Sequence, residues 1–170
     1  MLKIGVLGVG HLGKIHVNCI RMIDEYQLVG FYDPNEENAK SAVDEFGIKS
    51  FASVSDLIEA VDVVDIVTPT IQHFECAKMV IEAGKHIFIE KPIVNSSSEF
   101  NELVSYNHKN IFCGFIETHN ELFKIAKDNL TTDPFLIQVE RISSQVEPER
   151  VKDDVSFDLT IHDLSVALEY

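Results

Sequence analysis

The sequence predicts an α/β protein built on a doubly wound parallel sheet, with the beginning of a second α/β domain behind it. Three observations carry this expectation. Short β-branched apolar runs alternate with longer amphipathic or polar segments from Lys3 to about Val139. The first run opens directly into "GVGHLG", three glycines in G-x-G-x-x-G spacing between a strand pattern and a helix pattern. The second run ends on an acid, Asp33, twenty positions beyond Gly13.

Taken in order, the expected strands are "KIGVLG", "QLVGFYD", "IKSF", "VVDIVTP", "HIFIE" and "NIFCGF". After the first, "HLGKIHVNCIRMI" sets Leu12, Ile15, His16, Cys19, Ile20 and Ile23 at helical spacing, which predicts one buried stripe. "PNEENAKSAVDEFG" opens with Pro34 and closes on Gly47, a proline start and a glycine stop. In "SVSDLIEA", Ser53 and Asp56 stand in capping-box spacing. "HFECAKMVIEAG" stops on Gly84, and "SSSEFNELVSYNH" begins with a run of serine caps.

Beyond Gly114 the pattern changes. "FLIQVERIS" alternates Phe135, Ile137 and Val139 with Leu136, Gln138 and Glu140, as a half-buried strand of a different, antiparallel sheet would. A polar stretch follows, then "VSFDLTIHDLSVALEY", whose spacing is mostly helical. One strand and one helix cannot bury their own apolar faces, so this tail needs a partner. We expect a dinucleotide-binding domain over residues 1–117 and the incomplete start of a substrate or oligomerisation domain over 118–170. Self-association is expected through the strand near 135–143.

Composition removes several function classes. A formal net charge of −14 opposes a sequence-independent grip on nucleic acid or an anionic membrane, because both need Lys and Arg against phosphates. Cys19, Cys76 and Cys113 lie far apart in apolar surroundings and read as small core residues, not as a disulfide framework or zinc knuckle. No apolar run approaches the roughly 18 residues of a membrane span. The N-terminus enters a strand pattern without a signal-peptide pattern, so a cytoplasmic protein is expected.

The Gly-rich turn gives these elements a chemistry. Gly8 permits the tight turn, Gly10 lets a pyrophosphate approach the backbone, and Gly13 allows close helix packing. A carboxylate at Asp33 accepts hydrogen bonds from ribose hydroxyls and repels a 2′-phosphate, which favours NAD over NADP. Asp33 also reads as the start of the turn before Pro34. Ligands of an open parallel sheet lie outside the carboxyl ends of its strands. The expected cofactor-binding set is therefore Gly8, Gly10, His11, Leu12, Gly13, Asp33, Thr68, Pro69, His73, Glu90 and Lys91. Taken alone, Lys91 is also a plausible solvated turn residue, and Asp158 with His162, four apart, is also a plausible surface pair. Together they are candidates for substrate chemistry, with the carboxylate fixing the imidazole's tautomer.

In this order, "GVLGVGHLGKIH", the acidic "YDPN" turn, "VTPTIQH", "EKP" and "DLTIHD" resemble the glucose-fructose oxidoreductase / inositol dehydrogenase / MocA family of NAD(P)-dependent dehydrogenases, over most of the chain. The resemblance implies a Rossmann domain followed by a larger open-sheet domain, most of which this sequence lacks, as in a truncated enzyme. It implies that Lys91 and His162 lie beside the nicotinamide and a substrate hydroxyl. One of them takes the hydroxyl proton as a hydride passes to the cofactor, and Asp158 orients His162; no metal is required. The implied substrate is a secondary hydroxyl of a sugar, cyclitol or sugar nucleotide. In "GFIETHNE", Glu117 and Asn120 match a glutamate-arginine-phenylalanine-asparagine-proline stretch of the sugar-nucleotide branch, whereas Thr118, His119 and Glu121 do not. The missing arginine removes a bidentate anion contact. The alternative is a non-catalytic NAD-binding module.

Overall fold

The structure, a computed structural model, describes residues 1–108, 110–132, 134–140 and 159–169. The chain divides into two compact units, Met1–Gly114 and Phe115–Tyr170.

In the first unit all six expected strands form: β1 (Leu2–Leu7), β2 (Tyr26–Tyr32), β3 (Lys49–Ser50), β4 (Val63–Ile66), β5 (His86–Ile89) and β6 (Ile111–Cys113). They pair in parallel in the order β3-β2-β1-β4-β5-β6. Each connection is a helix: α1 (His11–Ile20), α2 (Glu36–Phe46), α3 (Val54–Ala60), α4 (His73–Glu82) and α5 (Ser97–Ser105). The strand order reverses at β1, so the crevice that such sheets offer a ligand opens between the turns after β1 and β4.

The helix ends follow local chemistry. Asn35, one residue after Pro34, caps α2 by accepting from Asn38 N, and Gly47 ends it in the left-handed region. Ser53 caps α3 by accepting from Asp56 N. Ser96 and Glu99 form a reciprocal capping box on α5.

The side chains of β4 divide between two cores. Val64, Ile66, Ile87 and Ile89 join Leu57, Ala77, Val80 and Leu103 in one apolar cluster. Ile4, Val6, Phe31 and Val63 meet Val17, Ile20 and Ala42 in the other. The buried stripe of α1 differs from the expected one. It is Gly13, Val17 and Ile20, with His16 partly buried beside them, while Leu12, Ile15, Cys19 and Ile23 are exposed. Close packing of α1 on the sheet selects its glycine face rather than its most apolar one. Cys19 is consequently no core residue, whereas Cys76 and Cys113 are partly buried against the first cluster.

The second unit contains a 3₁₀ turn (Ile116–His119), α6 (Glu121–Asp128) and α7 (Ile161–Ala167). The strand expected at 135–143 does not form in its described part. Residues 135–140 take no regular structure and are exposed, Phe135 completely, in keeping with a segment that pairs with no strand among the described residues. Residues 141–143 lie outside the described residues.

Candidate functional site

The carboxyl ends of the strands are tied edge to edge by backbone bonds. Gly8 N donates to Tyr32 O (2.9 Å), Val67 N to Leu7 O (2.8 Å), Glu90 N to Ile66 O (3.0 Å) and Gly114 N to Ile89 O (2.8 Å). The turns leaving β1, β2, β4 and β5 therefore start from one rigid rim.

At the first turn, Gly8 has φ +90°, and a Cβ there would stand 2.8 Å from Val67 O. A Cβ on Gly13 would drive into the Gly8 carbonyl. These two glycines are steric necessities of the fold. Gly10 differs: a Cβ there would meet only the Asn38 amide, at 3.9 Å, so the space above it is open. Gly10 also caps α1 without a side-chain hydrogen bond, and the first turn, beginning at the exposed His11 and Leu12, carries no acid. An open, uncapped helix N-terminus can receive an anion on its amides.

Asp33 sits across from this opening. Its Oδ2 accepts from Val9 N at 2.8 Å and from Asn38 Nδ2 at 3.4 Å, and its Oδ1 accepts from Asn35 N at 2.8 Å. It therefore shapes the turn before α2 and also anchors the Gly-rich loop. An ionised carboxylate has about four acceptor sites, so capacity for a hydroxyl is left.

Beyond β4, Thr68 and Pro69 enter a 3₁₀ turn at Thr70–Gln72, and the turn after β5 holds Glu90, Lys91 and Pro92, with a cis bond between the last two. His73, 1% exposed, connects the two turns: its Nδ1 lies 2.8 Å from Pro92 O and its Nε2 2.8 Å from Thr68 O. With both ring nitrogens engaged, His73 acts through Thr68 and Pro92 and does not offer a nitrogen to a ligand. Any part it takes in the expected cofactor site therefore runs through these two turns.

Below this rim lies a cluster that the sequence reading did not assemble, although it named His16 in a buried stripe and Glu90 in the cofactor set. His16 Nδ1 is 2.9 Å from Asp65 Oδ2, and its Nε2 is 3.3 Å from Glu90 Oε1. Glu90 Oε2 accepts from Lys91 N at 3.2 Å. Burial pulls the His16 proton affinity down, but the hydrogen bonds and charges of Asp65 and Glu90 outweigh it and lift the pKa from 6.5 to about 10. Burial pushes Asp65 up, against the His16 hydrogen bond. Burial also presses Glu90 upward, yet His16 and the Lys91 N–H prevail and hold it below the usual carboxylate range. Cys113, pushed up to about 12 by burial and then by the Glu90 charge, is no nucleophile. A signal for this cluster was present: "VVDIV" puts a lone carboxylate inside a buried strand, which requires a cationic or donor partner.

In the second unit, His162 stands in the first turn of α7 and is partly buried, with its carbonyl accepting from Ser165 Oγ at 2.7 Å. Asp158 lies outside the described residues. Asn120 has a local task, capping α6 by accepting from Leu122 N at 2.9 Å, and Thr118 Oγ1 donates to Phe115 O at 2.8 Å. Among the described residues no group of three or more His, Cys, Asp or Glu is placed to hold a metal ion, and no helix is long and apolar enough to cross a membrane.

Comparison with known proteins gives consistent matches. The profile of an oxidoreductase family with an NAD-binding Rossmann fold, GFO/IDH/MocA, matches residues 2–113. Over 98% of its length the chain is 34% identical to UDP-N-acetylglucosamine 3-dehydrogenase of Acidithiobacillus ferrooxidans, covering 53% of that protein. It is 27% identical, over 98% of its length, to myo-inositol 2-dehydrogenase of Thermotoga maritima, covering 54% of it. A crystal structure of the Acidithiobacillus ferrooxidans enzyme superposes with a TM-score of 0.90 at 33% identity, over 99% of this chain and 54% of that one. Scyllo-inositol dehydrogenase from Lactobacillus casei, with bound NAD(H) and scyllo-inositol, superposes with a TM-score of 0.69 at 27% identity, over 75% of this chain and 40% of that one. The chain spans about half the length of the curated relatives it matches.

Proposed function

This chain belongs to the GFO/IDH/MocA family of oxidoreductases with an NAD-binding Rossmann fold, and on that premise we propose that it holds NAD across the carboxyl ends of β1, β2, β4 and β5 for hydride exchange with a secondary hydroxyl of a sugar, cyclitol or sugar nucleotide. The observation that carries this reading is the uncapped amide end of α1, open over Gly10, with the Asp33 carboxylate beside it. The first-turn amides and the helix dipole receive the pyrophosphate. Asp33 takes the ribose hydroxyls and disfavours a 2′-phosphate, which selects NAD over NADP.

NAD, when bound, supplies the hydride acceptor. The chain's own task is to orient the cofactor and to move a proton. Thr68, Pro69, Glu90 and Lys91 line the nicotinamide end, with His73 supporting them from below. Lys91 or His162 takes the proton of the reacting hydroxyl, and Asp158 orients His162. Residues 1–117 are assigned to the dinucleotide domain and 118–170 to the start of the substrate domain. The names of the 34% and 27% identical relatives support a sugar or cyclitol as substrate class.

Fluorescence titration with NADH and NADPH tests the reading, followed by assays of NAD reduction with UDP-N-acetylglucosamine, myo-inositol and glucose. NADH is expected to bind, with NADPH at least tenfold weaker. Absence of NADH binding overturns the proposal, and binding without turnover on any substrate leaves a non-catalytic dinucleotide module.

A further inference from the structure

We propose that His16 is a positioning residue for the Glu90-Lys91 turn: its ring cross-links Asp65 to Glu90 and so holds the Glu90 carboxylate, and with it the Lys91 backbone, in a fixed place at the carboxyl end of β5. This rests on the assignment of Lys91 to the nicotinamide end.

Two distant positions meet that one carboxylate, and a third acts on it through the ring. His16 reaches Glu90 Oε1 from α1, and Asp65 holds the other side of the same ring from β4. Just after β6, Gly114 leaves room: a Cβ there would stand 2.6 Å from Glu90 Oε1. The second oxygen, Oε2, accepts from the Lys91 amide. The ring packs edge-on against Phe88, with centroids 6.0 Å apart, which limits its freedom to rotate away.

With both carboxylates ionised, the arrangement calls for a doubly protonated ring. Each nitrogen faces a carboxylate oxygen, and a neutral imidazole, with one N–H, satisfies only one of them. Asp65 is 2% exposed, and its other oxygen, Oδ1, is buried with no hydrogen-bond partner among the described residues. His16 is thus the main compensation for a buried charge, and it cannot leave without a large cost. The groups facing the ring are Asp65 from β4, Glu90 from the end of β5 and, behind Glu90, Lys91. A cation placed between two carboxylates also lowers the negative charge beneath the turn that is to meet the nicotinamide.

The test uses the full chain and begins without ligand. In ¹⁵N NMR, both ring nitrogens of His16 are expected to stay protonated from pH 6 to above pH 9. His16→Asn and Gly114→Ala, which disturb the same carboxylate oxygen, one by removing its partner and the other by crowding it, are each expected to shift the Lys91 backbone amide resonance. A His16 ring that titrates near 6.5, or a Lys91 amide unmoved by both variants, overturns the proposal. NADH and ADP-ribose titrations then supply the functional readout. Both variants are expected to weaken NADH by roughly five- to tenfold, the loss of one charge-assisted contact, and to leave ADP-ribose within twofold. Equal weakening of both ligands would mark a merely structural role and also overturn the inference. If the unaltered chain binds neither ligand, the functional assignment fails while the NMR result still decides the clamp.

Discussion

Along β4, neighbouring residues face different chemistry. Val64 and Ile66 point into a fully apolar core with α4, where Ala77 and Val80 meet them. Asp65, between them, points to the α1 side and meets His16. One face is held by shape alone, and removing a methyl group from it leaves a void. The other adds one ionic contact, Asp65 to His16, to the apolar packing of Val63, so part of its strength depends on protonation. The difference teaches that the strand supplies stability through its even positions and a pH-dependent support for the candidate site through an odd one.

Experiments can break this contrast in order of expected effect. His16→Asn leaves Asp65 buried without its cation and is expected to cost about 4 kcal/mol near pH 8. The cost should change between pH 5 and pH 8, because both the lost His16 charge and the orphaned Asp65 carboxyl titrate; urea unfolding at the two pH values measures it. Ile66→Ala, on the apolar side, should cost about 3 kcal/mol, by the same amount at both. If the two variants show the same pH dependence, the contrast between the faces is wrong.

The unaltered chain sharpens the point. His16 has a raised folded-state pKa, so its stabilisation is complete below its ordinary 6.5 and disappears as pH rises through about 10. The raised Asp65 value acts in the same direction, losing its contribution as pH climbs above the ordinary 3.8. Glu90, held low, contributes above its ordinary 4.5 and loses this as pH falls. Stability measured by thermal or urea unfolding should therefore drop by about 2 kcal/mol between pH 7 and pH 9. Asp33→Ala, which touches neither core, should weaken NADH about tenfold, or roughly 1.4 kcal/mol, by fluorescence titration. Smallest, Ser96→Ala removes the α5 capping box on the apolar side for about 1 kcal/mol, with no change in NADH affinity.

Much of the sheet was legible because six β-branched runs and the glycines between β1 and α1 obey strong steric rules. The inner face of α1 was not. Periodicity placed Leu12, Ile15, Cys19 and Ile23 on one buried stripe with His16 and Ile20, whereas close approach of helix and sheet buries Gly13 and Val17 with Ile20, and His16 turns to a strand carboxylate. A hydrophobicity pattern is blind to both. The same weakness explains residues 135–140, where alternation alone suggested a strand but pairing partners decide whether one exists. Asn120 adds a task that motif matching does not show, capping α6 through its side-chain oxygen. His73 was read as a ligand contact from its position after β4, and only coordinates could reveal that its two nitrogens are both taken by carbonyls.

That double engagement of His73 makes the ring a reporter. An acylating reagent such as diethyl pyrocarbonate reaches the exposed His11 and His86 directly, while His73, at 1% exposure, reacts only when Thr68 and Pro92 part company. The rate at which this one imidazole is modified is accordingly a clock for the opening of the two lips of the crevice.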